Sequence, residues 1–138
     1  VSLLVDTSVW SLALRRDSPP ASPHVNVLHA ALLGAEQVFT TGLILQELLQ
    51  GFASPKAQKQ LVERLGALAF LQPEREDHLA AAELRNICRR AGVQLGTIDA
   101  LLIQLCRRHD LLLLSADQDF AAAARHVEFR MWAVPGLA

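Results

Sequence analysis

Residues Thr97 to Phe120, TIDALLIQLCRRHDLLLLSADQDF, constrain the fold more than any other stretch of the chain. Ile98, Leu101, Leu102, Leu105 and Cys106 recur at helical spacing, and Leu111 to Leu114 is an unbroken apolar run. A helix followed by a strand covered on both faces satisfies both patterns, and such strands belong to parallel sheets. Asp99 falls in the first turn of this helix, with Ile103 and Cys106 following at i+4 and i+7, so its carboxylate leans toward the apolar face. Asp117 and Asp119 come just past the end of the strand. In open α/β sheets, that is where ligands collect.

The rest of the chain repeats the pattern. Ser2 to Val5 reads as a first buried strand ending at Asp6, and DTSVWSLALRR turns helical, with Thr7 and Ser8 as rival caps to Asp6. DSPPASP marks an exposed loop. Val25 to Ala35 reads as a helix, Gln37 to Thr40 as a strand and GLILQELLQGF as a helix holding Glu47 at the edge of its apolar stripe. Pro55 opens a further helix. Ala69 to Leu71 reads as a brief strand and Glu74 to Ala91 as a long helix whose acids and arginines complement its dipole, with Gly92 as its stop. Thr97 is the expected cap of the next helix. DFAAAARH makes a short helix, and Val127 to Val134 is the expected last strand. Strands alternating with helices predict an α/β fold, a three-layer α/β/α sandwich with a mostly parallel sheet of about four or five strands. At 138 residues the whole chain, 1–138, reads as one domain.

Composition excludes several classes. With 51% hydrophobic and 20% charged residues, disorder is not expected. No apolar run reaches membrane-spanning length and no basic n-region precedes one, so a cytoplasmic protein without a membrane partner is expected. Cys88 and Cys106 lack metal-ligand spacing and read as buried reduced thiols. His24, His29, His78, His109 and His126 are scattered, which argues against histidine-ligated zinc. The net charge of −1 does not by itself suggest a nucleic-acid binder. Two bound divalent cations would turn the balance positive, leaving Arg15, Arg16, Arg85, Arg89, Arg90, Arg107 and Arg108 to dominate the surface. That would suit a phosphodiester, although a plain solvated face accounts for most of them.

The acids are the chemical signal. Asp6 and Asp117 both end apolar strands and so share one sheet edge, which Asp99 and Glu47 approach from helices. Each acid also has a plain structural use, as an N-cap, a helix-dipole partner or a boundary residue. Together they are harder to dismiss, because carboxylates about 4 Å apart repel by roughly 4 kcal/mol at an effective dielectric near 20. A cation or a proton must neutralise such a cluster, and an all-oxygen ligand set suits Mg²⁺ or Mn²⁺.

VDTSVW followed by a helix, the mid-chain LILQELLQG and the TIDALLIQLCRRHDLLLLSADQDF stretch together resemble the PIN-domain ribonucleases, above all the VapC-type toxins of toxin–antitoxin pairs. The resemblance covers nearly the whole chain. It implies a metal-dependent endoribonuclease that hydrolyses RNA to 5′-phosphate and 3′-hydroxyl ends. Asp6, Glu47, Asp99 and Asp117 would form the catalytic quartet, with Asp119 an additional candidate for the fourth acid and for the metal, since the DQD pair fits either way. Ser8 and Ser115 would support the site. It also implies a homodimer and a cognate antitoxin that blocks the cleft. Trp10, Leu12, Leu14, Leu45, Leu48, Leu49 and Phe52 offer apolar surface for a partner helix.

Two other readings remain. A haloacid-dehalogenase-like phosphohydrolase usually carries a second Asp two positions after the first, where this chain has Ser8, and Lys56 and Lys59 are its only lysines. A non-catalytic PIN-like binding module would be told apart by metal-dependent RNA cleavage that vanishes on acid substitution.

Overall fold

The computed structural model describes residues 2–15, 22–34 and 36–135. Four strands form one sheet: β1 (Leu3–Val5), β2 (Val38–Thr41), β3 (Ala69–Leu71) and β4 (Leu112–Leu114). Their order is β3-β2-β1-β4 and every pairing is parallel. Leu4, Val5, Leu113 and Leu114 have no exposed surface, so the neighbouring strands β1 and β4 are covered on both faces, as their unbroken apolar runs require.

Parallel strands need crossovers, and among the described residues helices supply them. Thr7–Ala13 (α1) and Pro23–Leu33 (α2) join β1 to β2, and Gly42–Gln50 (α3) and Pro55–Gly66 (α4) join β2 to β3. Arg75–Arg90 (α5) and Thr97–His109 (α6) then carry the chain back across the sheet to β4, which Gln118–Ala123 (α7) follows. The direction of travel reverses on that return. Right-handed crossovers therefore place α1–α4 on one face and α5 and α6 on the other, giving the three-layer α/β/α arrangement. The packing agrees, because α1 meets α2 and α3, α3 meets α4, and α5 meets α6. The sheet's topological switch lies between β1 and β4.

Side-chain caps set most of the helix starts. Asp6, Ser22, Thr41 and Ser54 each accept a backbone N–H at the head of α1, α2, α3 and α4. Pro23 is the first residue of α2, so that helix starts two residues earlier than the expected Val25. Thr97 is not the cap of α6. Gly96 holds that place and Thr97 is already helical. Gly92 follows the end of α5 with φ of +84°, a left-handed conformation that favours glycine. Most of the DSPPASP loop lies outside the described residues, as does Arg16.

The expected strand at Val127 to Val134 is a correction. Among the described residues that segment makes one bridge, Leu113 with Met131, through Leu113 N–H to Arg130 O at 3.0 Å and Trp132 N–H to Leu113 O at 2.9 Å. Arg130 is instead anchored to Asp110, at 2.9 Å to its carbonyl and 3.1 Å to its carboxylate. Cys88 and Cys106 are free and buried, as expected, and burial pushes the Cys106 thiol up to about 12.

One buried charge ties α5 to α6. Asp77 is fully buried and accepts the Glu74 backbone N–H at 2.8 Å, Gln104 Nε2 at 3.3 Å and the Arg108 guanidinium. Arg108 also pairs with Glu74 at 3.0 Å. Burial alone would raise the Asp77 pKa, but these donors and the guanidinium charge outweigh it and hold the carboxylate below its ordinary value. Arg108 is thus a structural arginine. Arg85, whose Nε donates to Leu95 O at 2.8 Å, is another.

Candidate active site

The carboxyl ends of β1 and β4 lie side by side, and the residues that follow them are acidic and hydroxylic. The Asp6 backbone N–H reaches Leu114 O at 2.9 Å, which continues the ladder one residue beyond β1. The Asp6 side chain is 5% exposed. Its Oδ2 accepts the hydroxyls of Ser8 and Ser115, each at 2.9 Å, and the Ser8 backbone N–H at 3.4 Å. The two serine oxygens lie 3.3 Å apart. Each also accepts a backbone N–H from the loop after β4: Ala116 donates to Ser8 and Asp117 to Ser115, both at 3.0 Å. A buried carboxylate needs such donors, and the same bonds lock the β4 loop against the head of α1.

Asp117 caps α7 by accepting the Asp119 N–H on Oδ1 at 2.9 Å. Asp99 projects from the first turn of α6 into the same space. Oxygens of Asp99, Asp117 and Asp119 all lie within 4.8 Å of one another. Glu47, on α3, accepts the Thr7 hydroxyl at 3.1 Å. Asp99 records the crowding. Burial, then the charges of Asp6, Asp117, Glu47 and Asp119, raise its pKa from 3.8 to about 6.

All seven residues singled out from the sequence therefore gather at one edge. The tightest group is Asp99, Asp117 and Asp119. Asp6, with Oδ2 taken by two serines, and Glu47 flank it closely enough to act on Asp99. The ion pairs among the described residues, Arg108 with Glu74 and Asp77, and Arg130 with Asp110, neutralise none of these acids. Uncompensated carboxylates of this density, with hydroxyls orienting one of them, fit a hard divalent cation that takes oxygen ligands. The sequence reading overlooked Thr7 as anything but a rival cap. Its partner is 40 positions away, and no local pattern announces it.

Comparison with known proteins agrees with this architecture. No curated protein sequence matches the chain. Among solved structures, VapBC2 from Rickettsia felis, bound to a DNA fragment from its promoter, superposes with a TM-score of 0.74 at 15% identity, covering 96% of this chain and 98% of that one. FitAcB from Neisseria gonorrhoeae gives 0.66 at 20% identity, covering 95% and 96%. VapC20 from Mycobacterium tuberculosis, a toxin that cleaves the sarcin–ricin loop, gives 0.67 at 21% identity, covering 93% and 98%. At these identities the likeness is one of fold. The sequence itself matches the PIN domain over residues 3–126, from the first residue of β1 past the end of α7. By that match, which spans every strand and every acid of the cluster, the chain belongs to the PIN domain family.

Proposed function

We propose that this protein is a divalent-metal-dependent endoribonuclease and the toxin half of a toxin–antitoxin pair. The observation that carries the reading is the convergence of five acids on the switch point of the sheet with no cation among the described residues paired to balance them. Asp6, Asp99, Asp117 and Asp119 would hold Mg²⁺ or Mn²⁺, which when bound supplies Lewis-acid charge to a phosphodiester and lowers the pKa of water. Ser8 and Ser115 fix the Asp6 carboxylate by donating to one oxygen, which orients the other. Glu47 completes the quartet from the α3 side as an acceptor for the proton of an attacking water. No protein nucleophile enters this scheme.

RNA is the substrate in this reading. Support comes from the family and from a structural neighbour that is itself an RNA-cleaving toxin. The antitoxin is supported by neighbours that are toxin–antitoxin complexes and by the apolar face of α1. Trp10, Leu14, Leu28, Leu32 and Leu68 line a cavity of about 580 Å³ between α1, α2 and α4, and Phe52 and Leu14 line an adjoining one. Of the seven apolar residues expected to meet a partner helix, Trp10 and Leu48 are buried in the core, and Leu45 and Leu49 line a separate depression along α3. The partner helix is therefore assigned to the α1–α2–α4 side. A homodimer acting in the cytoplasm completes the proposal. No described helix is long and apolar enough to cross a membrane.

The test is expression of the chain alone and beside its neighbouring small reading frame, with cleavage of RNA by the purified protein in Mn²⁺ and in EDTA. Growth arrest relieved by the neighbour is the expected result, along with cleavage that EDTA and Asp6→Asn each abolish. Cleavage that survives both would overturn the reading.

A further inference from the structure

We infer that Thr7 is a positioning residue for Glu47, holding its carboxylate at the acid cluster through the Thr7 hydroxyl. This assignment rests on the nuclease reading of the site. Glu47 reaches the cluster on a side chain with three rotatable bonds, from a helix that is not part of the β1–β4 edge. Among the described residues its hydrogen-bond partner is Thr7 Oγ1, at 3.1 Å. Thr7 is well suited to the task. It is the first residue of α1, its neighbour Asp6 already caps that helix, and its hydroxyl makes no other bond among the described residues. A threonine at a helical position is largely restricted to two χ1 rotamers, so its hydroxyl has few directions to choose from, and here it takes the one that meets Glu47. The packing of α1 on α3 brings the two side chains together.

Three consecutive residues thus divide one task. Asp6 presents a carboxylate, Thr7 aims a second one from another helix, and Ser8 fixes the first and ties in the loop after β4. Without the hydroxyl, Glu47 is free to swing toward solvent, as repulsion from Asp99 and its neighbours favours.

The experiment is a double-substitution cycle of Thr7→Val, Thr7→Ser and Glu47→Gln, and the Thr7→Val, Glu47→Gln pair. Metal-free protein is titrated with Mn²⁺ by calorimetry, and kcat and KM for RNA cleavage are measured alongside. Thr7→Val should lower kcat by about tenfold, the usual scale for groups that orient ligands, with KM and Mn²⁺ affinity nearly unchanged. Thr7→Ser should restore most of the loss. In the Glu47→Gln background Thr7→Val should add nothing. Losses that multiply across the two sites, a Thr7→Ser variant as impaired as Thr7→Val, or wild-type values for Thr7→Val would each overturn the assignment. If the wild type bound Mn²⁺ but cleaved no RNA, the nuclease reading would fall, whereas wild-type kcat in Thr7→Val would overturn the role of Thr7 and leave that reading standing.

Discussion

Asp99→Asn separates a structural acid from one held in a repulsive cluster, because the two cases predict opposite signs at neutral pH. In metal-free protein the Asp99 pKa stands at about 6 against an ordinary 3.8. Below pH 3.8 the carboxyl is protonated in both folded and unfolded chains and adds nothing. As pH rises from about 4 to about 6 the folded state holds its proton while the unfolded state releases it, so stability falls through that window. The full difference corresponds to about 3 kcal/mol, and solvent reaching a half-buried group leaves about 1–2 kcal/mol of it. Asparagine removes that penalty. It also forfeits the favourable charge at the N-terminus of α6, about 0.3–1 kcal/mol. The net expectation in EDTA at pH 7.5 is a mutant more stable by about 0.5–1.5 kcal/mol, or about 2–5 °C in Tm for a domain of this size. At pH 4 the gain should vanish. Bound metal reverses the ranking. At a hundredfold excess over Kd a ligand stabilises the wild type by about 2.7 kcal/mol, and the mutant should lose most of that increment. Calorimetric melts of both proteins across pH 4–8, in EDTA and in Mn²⁺, give the result. A mutant destabilised by the same amount at pH 4 and pH 7.5, with the full Mn²⁺ increment intact, would refute the argument.

Ser115→Ala removes one of two hydroxyls from the buried Asp6 oxygen and should cost about 1–3 kcal/mol in chemical denaturation, with loss of Mn²⁺ affinity; an unchanged midpoint and affinity would contradict the geometry. Asp77→Ala strands the Glu74 N–H and the Gln104 amide and frees Arg108, for an expected loss of about 2–4 kcal/mol in urea melts. The Asp77 pKa is depressed, so its contribution is present above the ordinary carboxylate value of 3.8 and is lost as pH falls through the lower folded value, which the variant's flatter acid-unfolding curve should show. Cys88 and Cys106 are buried with raised pKa values, so a thiol reagent at pH 8 should label neither until urea unfolds the chain; rapid labelling of the native protein would disprove this.

The site was legible where chemistry and secondary structure share a local signal. Asp6 and Asp117 end apolar runs, and Asp99 breaks an apolar helical face, so each could be placed on one sheet edge from spacing alone. The strand order follows less directly, because a sequence states that β4 is buried but not that it lies beside β1. Pro23 was misassigned because Ser22-Pro23 serves equally well as loop or as helix cap and first turn. The VEFRMWAV segment alternates as a strand does, and it is extended enough to bridge Leu113 at Met131. Alternation encodes which side chains face the core, however, and not how many ladder bonds the backbone makes. Thr7 with Glu47 and Asp77 with Arg108 were out of reach for one shared reason. Each depends on two helices meeting at a register that only the packed sheet defines.

The place of β1 between β2 and β4 has a consequence for synthesis. β1 is made first, yet half its backbone pairing waits for Leu112–Leu114, which are made more than a hundred residues later. Until then the nascent chain carries an open sheet edge, and Asp6 lacks the Ser115 hydroxyl that helps to hold it. Asp117 and Asp119 arrive later still. The acid cluster therefore does not exist on the ribosome until Asp119 has been made, and a chain stalled before Ser115 lacks Ser115, Asp117 and Asp119. The order of strands in the sheet works as a delay, keeping the site incomplete until β4 and the loop after it have been made.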